Sequence, residues 1–118
     1  GVADFRYRFG REPEALWLSE TACNDETLGV LIDQGLRYVI LAPGQAQSYR
    51  AAAGEWHSVS DGHIDTTRAY RYLHRDGSGR SLAIFFYHGP LARAIAFERG
   101  SLQAGRWSRC FVGLVGQW

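Results

Sequence analysis

A carboxylate stands between an apolar run and a helical pattern in the segment "ALWLSETAC", residues 15–23. Glu20 follows "LWL", which predicts a short buried strand, and precedes "NDETLGVLIDQG", which predicts a helix. In an open α/β sheet, ligands bind at the carboxyl ends of the strands, so Glu20 could act in catalysis there. Position alone favours the simpler role of bracing the helix through backbone N–H donors near its start.

Two further side chains could supply acid–base chemistry. His88 follows "AIFFY" at a second strand end and precedes a glycine–proline helix start, which is the same topological place as Glu20. If the two strands are close in the sheet, His88 and Glu20 face one cleft, where the imidazole could bind a ligand hydroxyl or act as an acid. Asp65, in "GHIDTTR", is the carboxylate least easily explained as a turn former. The other carboxylates considered are better explained as solvated surface acids: Asp25, Asp61 and Glu98.

Metal and cofactor chemistry find no support in the residue spacing. The four histidines lack the spacing of a metal site, and Cys23 and Cys110 form neither a disulfide framework nor a ligand set. Phosphate-binding glycine loops and a nucleophile elbow do not occur in the sequence. We therefore expect no metal and no cofactor, and the cysteine usage fits a reducing cytoplasm.

The elements that would position these residues form an α/β pattern. Asn24 can cap a helix that Gly35 ends, and "LRYVILAP" predicts a continuous strand, buried on both faces and stopped by Pro43. Strand, helix and strand over residues 16–42 predict a right-handed βαβ unit in a small open sheet. The apolar positions of the helix share one face: Leu28, Leu31 and Ile32.

The rest of the chain predicts further short elements. "FRYRFG" alternates like a short strand or extended arm, "REPEA" is a turn, and residues 45–53 predict a short helix ended by Gly54. After an "SDG" turn, we expect a strand near "AYRYLH", a hairpin turn at "RDGSGR" and a strong strand at "SLAIFFY". "GPLARAIAFERG" predicts a helix with proline at its first position and Gly100 at its end.

Length and composition indicate one soluble domain over residues 1–118, since 46% of the residues are apolar, and the pattern of elements makes it an α/β domain. All 13 basic residues are scattered arginines facing 12 acidic residues, a net charge of +1. This balance argues against a nucleic-acid or anionic membrane partner, and no apolar run is long enough to span a bilayer. The terminal "FVGLVGQW" and open sheet edges predict a homo-oligomer.

Two blocks in order, "FGREPEALWLSETACNDETLGVLIDQGLRYVILAPGQA" and "GRSLAIFFYHGPLARAIAFE", resemble the middle of the catalytic domain of family 57 glycoside hydrolases. The bacterial subgroup with a "WLPETA" segment is the most similar. The resemblance runs from about Phe5 to Glu98, and residues 99–118 form a divergent apolar tail. It implies part of a (β/α) barrel, a carbohydrate substrate and a retaining mechanism with Glu20 as the nucleophile.

The sequence departs from the family pattern at three places. Ser19 replaces the usual proline, His88 stands where an aspartate or asparagine is expected, and the "DGE" aspartate that serves as the second carboxyl group has no counterpart. His88, Asp65 or a group from a second subunit would have to replace that acid. Two alternatives to a glycoside hydrolase therefore stay open, namely a non-catalytic sugar-binding or remnant module and a purely structural or assembly domain.

Aromatic side chains supply flat surfaces that could stack on sugar rings. We expect Trp17, Trp56 and Tyr87 to contact substrate. Core packing is the simpler explanation for Trp17, Tyr38 and Phe86. Trp56 lies in a polar loop, which makes it the better stacking candidate.

Overall fold

A computed structural model describes residues 1–97 of the 118-residue chain. The chain divides into two compact units, Gly1–Tyr87 and His88–Trp118. The helices are α1 (Val2–Phe9), α2 (Asp25–Asp33) and, in the second unit, α3 (Gly89–Phe97). The strands are β1 (Ala15–Trp17), β2 (Tyr38–Leu41), β3 (Ser48–Tyr49), β4 (His57–Ser58), β5 (Ala69–Leu73) and β6 (Ser81–Phe86). Single turns of 3₁₀ helix cover Ser19–Thr21 and Pro43–Gln45.

Four strands form one mixed sheet in the order β1–β2–β6–β5. β1, β2 and β6 run parallel, whereas β5 pairs antiparallel with β6 at one edge. β3 and β4 form a separate antiparallel hairpin. The parallel pairing of β1 and β2 around α2 confirms the predicted βαβ unit and the small open α/β sheet.

Local signals define α2 as the sequence predicts. Asn24 Oδ1 accepts a hydrogen bond from the Thr27 N–H at 2.8 Å, which satisfies a free donor of the first turn. Gly35, just beyond the end of the helix, has a φ of 78°, a conformation that favours glycine. The predicted apolar face is buried in one core with fully buried strand residues such as Val39 and Leu82. That face consists of Leu28, Leu31 and Ile32.

Several other predictions match the structure. Gly62, with a φ of 80°, lies at the "SDG" turn, and the "RDGSGR" turn joins β5 to β6. The helix predicted at "GPLARAIAFERG" is present as α3, with Pro90 as its second residue. The predicted helix end at Gly100, the terminal "FVGLVGQW", Cys110 and Glu98 lie outside the described residues. None of the helices in residues 1–97 is both long and apolar enough to cross a membrane.

Two secondary-structure predictions are wrong. "FRYRFG" belongs to the helix α1, in which Asp4 and Arg8 form an ion pair at 3.0 Å one turn apart and Gly10 closes the helix with a φ of 65°. No residue of α1 is buried, so the alternating aromatic rings do not follow a sheet face. The helix predicted over residues 45–53 is absent as well, since Gln45 only ends a 3₁₀ turn and β3 begins at Ser48 and pairs with β4.

The predicted burial of two strands is also wrong. β1 is the edge strand of the sheet, so Leu16 and Trp17 remain 40% and 61% exposed. In β2, Val39 and Leu41 are buried with α2, whereas Tyr38 is exposed and Ile40 is half-buried. One helix layer covers one face of this strand, so continuous apolarity does not mean burial on both sides here.

Candidate active site

The carboxyl end of the sheet brings together the segments that follow the parallel strands. Trp17 pairs with Ile40 and Ile40 with Phe85, so these positions share one face. The Tyr87 N–H donates to the Leu41 carbonyl at 3.2 Å, which continues this ladder past β6. The rings of Trp17 and Tyr87 are stacked, with centroids 6.2 Å apart and planes inclined by 19°. Two of the predicted substrate-binding residues therefore form one aromatic pair.

Glu20 lies in the turn directly after β1, in an unfavourable backbone conformation. Its φ is 57° and that of Thr21 is 50°, so two successive non-glycine residues adopt the left-handed region. Each such residue costs about 1–2 kcal/mol. Buried Thr21 holds the turn, since its hydroxyl donates to the Glu20 carbonyl at 2.6 Å and its N–H donates to the Leu18 carbonyl at 3.0 Å. Strained residues of this kind occur preferentially at functional sites.

The Glu20 side chain is exposed and makes no hydrogen bond or ion pair with any residue of 1–97. The role of bracing α2 belongs to Asn24, whose side chain caps the first turn. The backbone at Glu20 is thus held by Thr21, and its carboxylate is exposed to solvent. It could act as a nucleophile or as a general base.

A side-chain contact ties the Glu20 turn to the segment after β2. The Cys23 N–H donates to Gln45 Oε1 at 3.1 Å, and Gln45 lies in the 3₁₀ turn that follows β2. Sequence reasoning missed this role of Gln45, although the residue lies in the quoted "LAPGQA" block. Burial and then Asp25 raise the pKa of the Cys23 thiol, so Cys23 stays protonated at neutral pH and is a poor nucleophile.

Asp65 lies at the same end of the sheet but beside a different strand. It precedes β5, whose first residue Ala69 pairs with Phe85 near the end of β6. β5 is three strand spacings from β1, or about 14 Å. Asp65 also acts as a turn former, because its Oδ1 accepts from the Thr67 hydroxyl at 2.6 Å and from the Thr67 N–H at 3.0 Å.

The Asp65 carboxylate is ionised in this setting. Hydrogen bonds from Thr67 and the Arg68 guanidinium, whose Nε lies 2.9 Å from Oδ2, hold the pKa of Asp65 below its usual range. A general acid must carry a proton at the working pH. Asp65 therefore suits a turn-stabilising role better than the role of proton donor.

His88 begins the second unit and caps α3. Its Nδ1 accepts a hydrogen bond from the Leu91 N–H at 3.0 Å, and its carbonyl accepts from the Ala92 N–H at 2.9 Å. Because Nδ1 is an acceptor here, the neutral imidazole carries its proton on Nε2 and could donate it. The expectation that His88 and Glu20 face one cleft stays a prediction.

Trp56, the third predicted aromatic contact, lies between β3 and β4 and is 64% exposed. The Arg50 guanidinium carbon lies 4.9 Å from the centre of the Trp56 ring, within the range of a cation–π interaction. Trp56 is thus separate from the Trp17–Tyr87 pair. Residues 1–97 contain no group of three or more potential metal-ligating side chains placed to hold an ion.

Comparisons with known proteins show the family of the chain. The sequence profile of glycosyl hydrolase family 57 matches residues 4–111, which is most of the chain. The chain belongs to this family. The match extends past Glu98, where the similarity of the motifs ends. No curated protein matches the chain.

A solved structure of a longer chain resembles this chain in fold. The crystal structure of the 4-α-glucanotransferase from Thermococcus litoralis is 15% identical to this chain, with a TM-score of 0.54. The match covers 97% of this chain and 20% of that chain. The family 57 chain therefore spans about a fifth of the length of its structural neighbour, and the likeness concerns the fold alone.

Proposed function

We propose that this chain is a glycoside hydrolase that cleaves glycosidic bonds by a retaining mechanism, with Glu20 as the nucleophile. One observation carries the proposal, namely an exposed carboxylate, without a hydrogen-bond or ion-pair partner among residues 1–97, on a strained turn at the carboxyl end of β1. Membership of glycosyl hydrolase family 57 supports carbohydrate as the substrate. The Trp17–Tyr87 pair beside this turn would stack on a sugar ring.

The proposed reaction has two steps. A Glu20 oxygen attacks the anomeric carbon as the bond to the leaving oxygen breaks, and a general acid protonates that oxygen. Water then attacks the anomeric carbon of the glycosyl ester and gives its proton to the residue that acted as the acid, which releases the sugar and restores both Glu20 and the acid. A sugar hydroxyl in place of water would give transfer, which is the reaction type in the name of the structural neighbour.

The acid must lie about 5 Å from the nucleophile in a retaining enzyme. Asp65 fits poorly, because Thr67 and Arg68 hold it ionised and β5 is distant from β1. We assign the acid to His88 or to a group from a second subunit. His88 Nε2 is free of the capping bond that Nδ1 makes, which is the feature that favours it.

Kinetics of Glu20→Gln test the proposal. The variant keeps the shape of the side chain but cannot form the glycosyl ester, so turnover should fall on the order of 10³-fold or more. Release of nitrophenol from nitrophenyl glycosides and of reducing ends from starch measures it. Glu26→Gln, a change to another exposed glutamate in the first turn of α2, should leave turnover unchanged. Full activity of Glu20→Gln would remove Glu20 from the mechanism.

A non-catalytic sugar-binding module is the second candidate function. It is favoured because Asp65, the carboxylate predicted as a replacement acid, is held ionised by Thr67 and Arg68 and precedes a strand distant from β1. On this alternative, the wild-type chain turns over no glycoside, while calorimetric titration still detects binding of malto-oligosaccharides. Turnover by the wild-type chain would exclude it.

We also propose that the chain forms a homo-oligomer in the cytoplasm. β1 lies at an edge of the sheet, where its outer backbone groups can pair with another chain. A second subunit could then place a carboxylate or His88 opposite Glu20. Light scattering should give a mass above 13.2 kDa, and a monomer mass that stays constant with concentration would contradict the assembly.

A further inference from the structure

A chain of aromatic contacts connects the sheet to the β3–β4 hairpin. The ring of Phe86, near the end of β6, packs on Tyr70 with centroids 5.6 Å apart, and Tyr70 packs on Tyr49 at 5.7 Å. Tyr49 contacts His57 on the paired strand at 5.3 Å. The Val59 N–H donates to the Gln47 carbonyl at 2.8 Å and closes the base of the hairpin. The hairpin is therefore a fixed support at the carboxyl end of the sheet.

The loop of this hairpin presents Trp56 to solvent in an ordered position. About two thirds of the Trp56 surface is exposed, so the ring adds little to the stability of the core. Arg50 lies over the indole ring, and Trp56 remains 64% exposed. Neither Arg50 nor Glu55 forms an ion pair within the part of the chain that the structure describes. An exposed indole beside guanidinium donors suits a pyranose ring with its hydroxyl groups.

The hairpin that carries Trp56 packs, through Tyr49 on Tyr70, on the face of the sheet that α2 covers, since Tyr70 pairs with buried Ile84. Trp17, which pairs with Ile40, lies on the opposite face of β1. The two outer strands are three strand spacings apart, or about 14 Å. One sugar ring cannot contact both surfaces, whereas an oligosaccharide that passes over the carboxyl end of the sheet can.

We propose that Trp56, ordered by Arg50, is a second sugar-binding surface that gives the site a preference for oligosaccharides over short glycosides. The proposal rests on the proposed function, since it takes carbohydrate as the ligand of this end of the sheet. Trp56 binds a sugar unit remote from the bond that reacts. Its contribution therefore appears in affinity for long ligands and leaves the chemistry at Glu20 unchanged.

Calorimetric titration of the full chain with maltose and maltoheptaose tests this surface, with Glu20→Gln as the common background to prevent turnover. Trp56→Ala should weaken maltoheptaose binding about three- to tenfold and leave maltose binding unchanged. Trp56→Phe keeps a stacking ring and should retain most of the affinity. Trp17→Ala, at the other aromatic surface, should weaken both ligands.

The outcomes separate this proposal from the proposed function. Unchanged maltoheptaose affinity in Trp56→Ala, an equal loss for both ligands, or no binding of either ligand by the parent protein would overturn it. Circular dichroism of Trp56→Ala should match the parent, because the side chain is largely exposed. Failure of Glu20→Gln to abolish turnover would refute the nucleophile, while a length-dependent effect of Trp56 would still support the second surface.

Discussion

The two ends of the sheet use the same left-handed backbone conformation with different residues. At the amino end, the turn between β5 and β6 places Gly77 and Gly79 at φ values of 74° and 75°, which glycine adopts at no steric cost. At the carboxyl end, Glu20 and Thr21 adopt φ values of 57° and 50° despite their side chains. Glycine suffices where the chain only has to turn. The glutamate in that conformation is the feature on which its proposed role as nucleophile rests.

The charges of the two ends differ in the same way. In the amino-end turn, Asp76 accepts from the Ser78 N–H at 2.9 Å and from Arg80, and Arg80 also binds Asp33 of α2 at 2.7 Å. The Glu20 carboxylate has no such partner among the described residues. Paired charges hold α2 against the turn between β5 and β6. On the proposed function, the two ends of the sheet therefore differ in role, with the amino end serving stability and the carboxyl end binding substrate.

Replacing Glu20 by glycine should separate the strain from the side chain. Glu20→Gly should be more stable than Glu20→Ala by about 1 kcal/mol, because only glycine relieves a positive φ. For a unit of this size, the difference corresponds to about 4–8 °C in Tm. Both variants should lose turnover. Thermal unfolding followed by circular dichroism measures the difference.

Val30 supplies the control for this pair, since it is exposed in the middle of α2. There the order should reverse, and Val30→Gly should be less stable than Val30→Ala by about 1 kcal/mol. If glycine is the less stable choice at both positions, Glu20 is not strained, and the contrast between the two ends of the sheet disappears.

The amino-end turn should show a smaller, pH-dependent effect. Hydrogen bonds from Ser78 and then Arg80 hold the pKa of Asp76 well below its usual range. In the unfolded chain the Asp76 carboxylate has a pKa of about 3.9, so it takes up a proton at a higher pH than in the folded chain. Asp76 thus contributes stability above that pH and loses it as the pH drops toward the folded pKa.

The free energy of unfolding of the wild type should therefore fall more steeply below about pH 4 than that of Asp76→Asn. Urea titrations at several pH values measure both slopes. Glu26→Gln, which removes an exposed carboxylate outside this turn, should leave the slope close to that of the wild type. If the free energy of unfolding depends on pH equally in the wild type and in Asp76→Asn, the Asp76 charge does not contribute to stability.

Local signals in the sequence predicted much of the fold. Asn24, Gly35 and the "RDGSGR" turn act within a few residues, so their effects can be read without knowing the rest of the structure. The exposure of β1 could not be read in this way, because it depends on which strands flank it in the sheet. In residues 45–53, the β3–β4 pairing and the packing of Tyr49 on Tyr70 outweigh the weak helical pattern.

The candidate site was only partly predictable. Family resemblance in the motif around Glu20 led to the proposal of Glu20 as the nucleophile. Nothing in "LSETA" indicates two positive φ values, since neither Glu20 nor Thr21 is a residue that favours them. The contact between Gln45 and Cys23 joins two loops that are distant in sequence. The pairing of Trp17 with Tyr87 likewise depends on the order of the strands.

Trapping the covalent intermediate tests the central claim most directly. A fluorinated glycosyl fluoride, which forms a glycosyl ester quickly and releases it slowly, should label the wild-type chain. Mass spectrometry of proteolytic peptides should place one sugar on Glu20, in the peptide containing "LWLSETAC", and Glu20→Gln should remain unlabelled. A sugar found on another carboxylate, or turnover of the reagent without any labelled peptide, would contradict the assignment of Glu20 as the nucleophile.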